Sequence, residues 1–279
     1  MFFEIIKEMR LKQWTKNLFV YAAILFHGDF FNVDLLIITT KVFFAFSFSA
    51  SGIYFFNDIC DIKKDRKNPK KSLRPIAAGK ISKSQGYFFS ALFIFCGLLI
   101  ACHVSVFFLE IIFSYVILNF LYSLILKKII IIDVFIISFG FVIRTVSGAV
   151  VANVPMTLWF ILCVMFLSLF LALGKRRYDV FNLPVEKKNF HADFLDKLIN
   201  IVTANLIICY SLFAVTSDKT NMIFSIPIVL YGIFYYLYVV TVKKEGGAPD
   251  EILYKEKPIL FTVLIYTVFI ILTRNTDLL

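Results

Sequence analysis

The chain has 279 residues, of which 60% are hydrophobic and 18% aromatic, and its mean hydropathy is +0.84. A soluble domain cannot bury so large an apolar fraction, so the composition excludes an ordinary water-soluble protein and indicates a polytopic membrane protein. The net charge of +10 is explained by the basic loops of such a protein and does not require nucleic-acid binding.

Nine apolar stretches are each long enough, at about 20 residues, to cross a bilayer as a helix. We therefore expect an all-α polytopic membrane protein, with nine transmembrane helices in a single domain over residues 1–279. The first stretch lacks a small-residue cleavage site, so residues 1–16 are expected to stay as an amphipathic segment. The predicted spans lie near residues 17–34, 37–58, 86–105, 106–126, 132–152, 156–174, 195–216, 222–242 and 258–273.

The positions of the basic residues predict the orientation of these spans. If the loops alternate between the two sides, 25 of the 29 Lys and Arg residues fall on the side of the N-terminus. The opposite side keeps Lys219 and Arg274, with Lys41 and Arg144 inside spans. Because positively charged loops stay in the cytoplasm, we expect a protein of the cytoplasmic (inner) membrane with its large basic loops in the cytoplasm.

The second predicted span ends in an acidic pattern, NDICDIKKD. If the helix continues through Asp65, then at about 100° per residue its four oxygen-bearing side chains fall within an arc of about 100°. Carboxylates crowded on one face repel each other unless a cation lies among them, and hard oxygen ligands favour Mg²⁺. Because Mg²⁺ also takes phosphate oxygens from a substrate, this face predicts a metal-bridged diphosphate. The four residues are Asn57, Asp58, Asp61 and Asp65.

A basic stretch follows directly, with Lys67, Lys70, Lys71 and Arg74. A single charge beyond a span is most often a solvated cap. However, an anionic, metal-bound substrate requires acidic side chains that bind the metal next to basic side chains that bind its phosphate groups. We therefore interpret the two patterns together as one active site that faces the cytoplasm.

The pattern NDICDIKKD, followed by LRPIAAGKIS, resembles the NDxxDxxxD motif of the UbiA-type intramembrane prenyltransferase superfamily. The resemblance extends along essentially the whole chain and implies a UbiA-like bundle of nine transmembrane helices. In that superfamily the motif binds Mg²⁺ and a substrate diphosphate, which implies catalytic roles for Asp58, Asp61 and Asp65. The metal ligands that the resemblance implies are Asn57, Asp61 and Asp65.

Most members of the superfamily carry a second acidic cluster, DxxxD, after the sixth span, and this chain departs from that pattern. Asp179 is followed four places later by Leu183, and three cations stand just before it in the stretch GKRRYD. This stretch, with RLKQWTKNLF at residues 10–19 and LYSLILKK at residues 121–128, is similar to the decaprenyl-phosphate phosphoribosyltransferase branch. Members of that branch transfer 5-phosphoribose from phosphoribosyl diphosphate (PRPP) to a polyprenyl phosphate.

The resemblance implies Mg²⁺ as cofactor and PRPP, a polyprenyl phosphate lipid and the membrane as partners, without nucleic acid; homo-oligomerisation stays open. Donor and acceptor together bring more negative charge than a prenyl diphosphate with a neutral acceptor, so the site needs many cations. Any one of these basic residues could instead contact only lipid headgroups on the cytoplasmic side of the membrane. The predicted substrate-binding residues are Lys16, Tyr54, Lys67, Lys71, Arg74, Lys127, Arg144, Lys175, Arg176, Arg177 and Tyr178.

Two of these residues are predicted on different grounds. Arg144 lies about 16 Å along its span from Asp133, at 1.5 Å per residue, and a charge at that depth normally faces a polar interior. It fits either a substrate pocket or a structural pair with a buried acid. Tyr54 lies one turn before Asp58, where it could contact ribose, although packing is the more ordinary role.

Two alternative functions remain open at this stage. A UbiA-type enzyme that prenylates an aromatic acceptor would predict the second DxxxD cluster, which the chain lacks. A polytopic transporter would place ionisable groups and Gly or Pro breaks at mid-membrane. Here the charges concentrate at the predicted cytoplasmic ends and only Arg144 is deep.

Overall fold

The computed structural model describes residues 1–129, 131–180, 185–243 and 249–274. These residues form α-helices joined by short 3₁₀ helices and turns, and no strand occurs among them. The α-helices are α1 (Phe2–Met9), α2 (Ala22–His27), α3 (Val33–Asp65), α4 (Lys83–Val104), α5 (Val106–Leu124), α6 (Ile132–Ala152), α7 (Leu158–Val180), α8 (Val185–Val215), α9 (Ile226–Thr241), α10 (Pro249–Lys255) and α11 (Lys257–Arg274).

Eight helices of the described part are long and apolar enough to cross a membrane, which confirms the all-α polytopic fold. They are Val33–Asp65, Lys83–Val104, Val106–Leu124, Ile132–Ala152, Leu158–Val180, Ala192–Val215, Asn221–Thr241 and Lys257–Arg274.

The first predicted span differs from the expected single α-helix over residues 17–34. A 3₁₀ helix occupies Leu11–Tyr21, α2 follows, and the chain turns at Gly28 with a φ of 108° before α3 begins at Val33. The link expected between 34 and 37 is therefore wrong. At about 2.0 Å per 3₁₀ residue and 1.5 Å per α residue, residues 11–27 extend about 31 Å, which matches the hydrocarbon thickness of about 30 Å.

The N-terminal segment, residues 10–27, runs antiparallel to α3. Trp14 Nε1 donates to Ser51 Oγ at 3.1 Å, and Asn17 Nδ2 donates to Ser47 Oγ at 2.9 Å. Further along, the Tyr21 and Thr40 hydroxyl oxygens lie 2.9 Å apart. These contacts follow α3 from its acidic end toward its start, so the segment runs along α3 through the bundle and is long enough to form a ninth crossing.

α3 carries the acidic motif beyond the membrane. Its 33 residues extend about 50 Å at 1.5 Å per residue, well beyond the hydrocarbon layer of about 30 Å. The loop that follows folds back onto the last turns, because Ile76 and Ile81 are buried in one apolar cluster with Phe55 and Ile59. Arg66 Nε donates to the Ala77 carbonyl at 3.0 Å and closes this loop.

The basic stretch near residue 175 lies on a helix. We expected a loop over residues 175–194, but α7 continues to Val180 and α8 begins at Val185. The boundary predicted between residues 105 and 106 is confirmed: Ser105 separates α4 from α5, and its side chain accepts a hydrogen bond from the Phe108 amide and caps α5. Leu183, at the missing fourth place after Asp179, lies outside the described residues.

Candidate active site

The acidic motif divides into two pairs on the last turns of α3. The helix continues through Asp65, as the arc of four residues required. At about 100° per residue, Asn57 and Asp61 fall at one edge of the arc and Asp58 and Asp65 at the other. The contacts of the two pairs follow this division.

Lys127 contacts the first pair. Its Nζ lies 3.1 Å from Asn57 Oδ1 and 2.7 Å from each carboxylate oxygen of Asp61. The lysine is supplied by the short 3₁₀ helix Leu126–Lys128 that follows α5. Three oxygen atoms thus converge on one cationic point.

Two arginines contact the second pair. Arg74 Nη1 donates to Asp58 Oδ1 at 3.1 Å and to Asp65 Oδ2 at 2.6 Å. Arg10 Nη2 donates to both oxygens of Asp58, and its guanidinium carbon lies 4.9 Å from the centre of the Tyr54 ring. Asp58 and Asp65 are each 1% exposed. The charges of these two buried carboxylates are therefore balanced by arginines from two different segments.

Arg10 and Glu8 belong to the site although the sequence analysis did not select them. Glu8 is 1% exposed, and neither of its carboxylate oxygens makes a hydrogen bond within the described residues. Burial, with the neighbouring Asp58, raises the pKa of Glu8 to about 8 despite the opposing charge of Arg10. Arg10 did stand inside the stretch RLKQWTKNLF, but its contact with Asp58, 48 positions away, depends on how the N-terminal segment packs.

The donor set on α3 fits a hard divalent cation. Among the described residues, no three His, Cys, Asp or Glu side chains meet in an arrangement that could hold a metal. Instead, Lys127, Arg74 and Arg10 form ion pairs with the carboxylates of α3. Because an amide and a carboxylate already converge on the Lys127 ammonium, Asn57 and Asp61 present the oxygen ligands that Mg²⁺ prefers. Asp65 faces Arg74 instead of that point.

The remaining predicted cations near α3 lie around this cluster. Lys71 is exposed on the 3₁₀ helix Lys71–Leu73, and loss of hydration together with the neighbouring Arg74 lowers its pKa. The charges of Asp65 and Asp179 act on Lys71 in the opposite direction, so the two basic stretches lie close to each other. Lys67 is exposed, and Lys16 Nζ donates to Gln13 Oε1.

The basic end of α7 makes ion pairs with neighbouring helices. Arg176 Nη2 lies 2.7 Å from Asp133 Oδ2, at the start of α6. The buried Arg177 donates to Asp196 and, at 2.9 Å, to the Val240 carbonyl, which ties α7 to α8 and α9. Lys175 is exposed and Tyr178 half-buried.

Arg144 lies in a neutral polar cage. It donates to Asn17 Oδ1, the Gly140 carbonyl and the Tyr115 hydroxyl at 2.6, 2.6 and 2.7 Å. A pairing with a buried acid, one of the two roles left open for Arg144, is not found among the described residues. Arg144 instead joins the N-terminal segment to α5 and α6 at mid-bundle. Tyr54, for which packing was favoured, contacts Arg10 through its ring face.

Comparison with solved structures identifies the fold class. A UbiA homologue from Archaeoglobus fulgidus, solved with GPP and Mg²⁺ bound, is similar to this chain with a TM-score of 0.75 and 15% identity, over 98% of this chain and 100% of that one. A structure described as digeranylgeranylglyceryl phosphate synthase in membranes has a TM-score of 0.67 and 19% identity, over 98% of both chains. The A. fulgidus homologue has also been solved with Cd²⁺. The bundle is therefore a UbiA fold.

The family follows from the sequence comparisons. The model of the UbiA prenyltransferase family matches residues 17–272, and the chain belongs to this family. It is 30% identical to a protein of Mycolicibacterium smegmatis named decaprenyl-phosphate phosphoribosyltransferase, over 95% of this chain and 91% of that protein. A protein of the same name from Corynebacterium glutamicum is also 30% identical, over 96% of this chain and 85% of its own length. The chain is thus an integral membrane protein, and its family supports a transferase activity.

Proposed function

We propose that this protein transfers 5-phosphoribose from PRPP to a polyprenyl phosphate of the decaprenyl type and releases diphosphate, with Mg²⁺ as its metal. The observation that carries the proposal is the convergence of Arg10, Arg74 and Lys127 on the acidic motif of α3. The names of the near full-length relatives support the same reaction.

Charge balance explains why these cations suit a highly anionic substrate. Asp58, Asp61 and Asp65 are matched by three cations before any metal binds. Asn57 and Asp61 would hold a divalent ion, which would give this group of acidic and basic side chains an excess of positive charge. The Lys127 ammonium would then be available to bind substrate phosphate. A site with this excess positive charge suits a diphosphate and two further phosphates, which together carry more negative charge than a prenyl diphosphate alone.

The residues then have distinct tasks in the reaction. Asn57 and Asp61 would hold Mg²⁺, which would neutralise charge on the leaving diphosphate, while the third predicted ligand, Asp65, holds Arg74. The bond from ribose C1 to the diphosphate oxygen breaks, the diphosphate keeps the electron pair, and a lipid phosphate oxygen forms the new bond to C1. Arg74, Lys127 and Lys71 stabilise the departing charge beside an oxocarbenium-like C1. The lipid phosphate is already an anion at pH 7, so the chain needs no strong general base.

The other basic residues divide by their contacts. Lys16, Lys67 and Lys175 keep their proposed role in binding phosphate groups. Arg176 and Arg177 already pair with Asp133 and Asp196, so we propose that they act mainly by fixing the end of α7, with Tyr178 beside them. Arg144 serves by holding the N-terminal segment that carries Arg10.

Prenyl transfer to an aromatic acceptor is the second candidate, because the family is described by that activity. The described end of α7 carries Asp179 without a second acidic pair, which disfavours a second metal for a prenyl diphosphate. The test is a transfer assay on the purified protein with ribose-labelled PRPP, a polyprenyl phosphate and Mg²⁺. Label in the lipid fraction that is abolished by EDTA supports the proposal. Turnover of a prenyl diphosphate with an aromatic acceptor, without ribose transfer, supports the second candidate.

A further inference from the structure

We propose that Arg10 binds a phosphate group of the substrate and that Asp58 is the positioning residue that holds Arg10 and Arg74 for this purpose. The inference rests on the proposed function, since the phosphate is that of the anionic donor or acceptor. It assigns a binding role to Arg10 and changes the role predicted for Asp58 from catalytic to positioning.

Two guanidinium groups share one carboxylate oxygen. Asp58 Oδ1 accepts from Arg10 Nη2 and, at 3.1 Å, from Arg74 Nη1. Two hydrogen bonds of ordinary length to one atom keep the two donor nitrogens within about 6 Å of each other. Two like charges so close attract an anion between them, and guanidinium groups match phosphate oxygens in a planar, bidentate geometry.

Both arginines retain hydrogen-bond donors. A guanidinium has five N–H groups, and among the described residues Arg10 uses only Nη2 and Arg74 only Nη1. The side chains of Arg10 and Arg74 are 23% and 26% exposed, whereas that of Asp58 is 1% exposed. The carboxylate therefore lies behind the arginines, and the unused donors belong to the groups that solvent or substrate reaches.

A purely structural ion pair accounts less well for this arrangement. Arg74 is shared between Asp58 and Asp65, so Arg10 completes the charge balance, but charge balance alone does not explain why both guanidinium groups are about one-quarter exposed beside a buried carboxylate. Arg10 is also the left-handed C-cap of α1, with a φ of 54°, so the end of this helix fixes where the Arg10 side chain leaves the backbone. The face of the Tyr54 ring, 4.9 Å from the guanidinium carbon, fixes its orientation.

The metal and phosphate parts of the motif are separate in this arrangement. Asn57 and Asp61 converge on Lys127, whereas Asp58, within the described part of the chain, contacts arginines and the neighbouring Glu8. An Asp58→Asn variant should therefore keep its metal affinity, because the amide replaces a group that is not a ligand. An Asp61→Asn variant should lose it.

The experiment compares Arg10→Gln and Arg10→Lys with Lys12→Gln, which removes an exposed charge two positions away. The full-length protein in nanodiscs is assayed for the KM of PRPP and of polyprenyl phosphate, and for equilibrium binding of Mg²⁺ with inorganic diphosphate. We expect Arg10→Gln to raise one substrate KM by about tenfold to a hundredfold, as the loss of a charge-assisted hydrogen bond implies. Arg10→Lys should recover part of this loss, and Lys12→Gln should match the wild type. Thermal unfolding shows that each variant is folded.

Unchanged KM values in a folded Arg10→Gln protein, or an equal loss in Lys12→Gln, would overturn the proposal. So would loss of Mg²⁺ binding in Asp58→Asn to the extent seen in Asp61→Asn. If the wild type does not transfer phosphoribose at all, the proposed function fails separately. Diphosphate binding then decides the role of Arg10: weaker binding in Arg10→Gln supports it, and equal binding contradicts it.

Discussion

Asn57 and Asp58 are neighbours in the sequence and face different cations. Their side chains diverge by about 100° around the helix axis, so Asn57 meets Lys127 with Asp61 while Asp58 meets Arg10 and Arg74. We therefore propose that the acidic motif forms two adjoining sites of opposite function. One presents oxygen ligands to a cation and the other presents arginines to an anion.

The Asp61 carboxylate is expected to be required for both metal binding and transfer. Asp61→Asn removes the charge that converges with Asn57 on one point, so metal affinity should fall by at least about tenfold. Transfer should fall by about a hundredfold or more because the leaving diphosphate loses its counter-charge. Titration with Mn²⁺ followed by electron paramagnetic resonance measures the affinity, beside the transfer assay.

Asp179→Asn is the matched control for Asp61→Asn. Asp179 is the exposed acid where a second acidic pair would begin, and it lacks a partner acid among the described residues of α7. We expect near wild-type metal affinity and transfer. Equal losses in the two variants would show that the end of α7 contributes a second metal site.

Glu8 is expected to make stability depend on pH. Its pKa is about 8 in the folded protein because of burial and the neighbouring Asp58, against about 4.3 in an unfolded chain. Between these values the folded state holds more protons than the unfolded state, so the stability that Glu8 contributes is fully present below about pH 4.3 and is lost as the pH rises to about 8. The fall is at most about 5 kcal/mol, at about 1.4 kcal/mol per pKa unit.

Thermal unfolding in nanodiscs from pH 5 to 8 measures this dependence. Glu8→Gln should remove this part of the slope and be more stable than the wild type at pH 8. The control is Glu4→Gln on the same helix, where the side chain of Glu4 pairs with Lys80 at 2.6 Å. A slope that is identical in the wild type and Glu8→Gln would contradict the assignment.

At the scale of elements, the N-terminal segment is held by close backbone contact as well as by hydrogen bonds. A Cβ atom on Gly148 of α6 would lie 1.9 Å from the Val20 carbonyl oxygen. The glycine lets α6 approach the 3₁₀ helix directly. Arg144, one turn earlier on α6, reaches Asn17 of the same segment.

Gly148→Ala is therefore expected to push the N-terminal segment from α6 and destabilise the protein by about 1–3 kcal/mol, the usual cost of overpacking. Transfer should fall as well, because the segment carries Arg10. The control is Gly232→Ala, whose Cβ would meet only the Thr262 methyl group at 3.1 Å. Unfolding midpoints that are equal for the two variants would contradict the close approach.

Periodicity and hydropathy were sufficient to predict most of the elements, because apolar stretches of 18 or more residues have few alternatives in a membrane. They failed at residues 11–27, since a 3₁₀ helix crosses the same thickness with fewer residues than an α-helix. The division of the acidic motif followed from helical geometry once α3 was known to continue to Asp65. The cations that pair with the motif could not be predicted in this way, because Arg10, Arg74 and Lys127 come from three segments whose packing no local pattern specifies.

At the scale of the whole molecule, the N-terminal segment determines how many times the chain crosses the membrane. If it crosses, residues 3 and 32 lie on opposite sides, and the acidic motif lies on the side of residue 3. In a background without native cysteines, Phe3→Cys and Lys70→Cys should be protected from a membrane-impermeant maleimide in intact cells, while Asn32→Cys is labelled. All three positions are exposed in the protein. Labelling of Phe3→Cys together with Asn32→Cys would contradict nine crossings.

The central claim is that one phosphoribosyl group passes intact to the lipid as diphosphate departs. The most direct measurement uses PRPP with ¹⁴C in the ribose and ³²P in the 5-phosphate, and counts both labels in the lipid product against the diphosphate released. We predict that both labels enter the lipid in their original ratio, with one diphosphate formed for each transfer and none in EDTA. Release of diphosphate without either label in the lipid, or lipid that carries ³²P without ¹⁴C, would contradict the account.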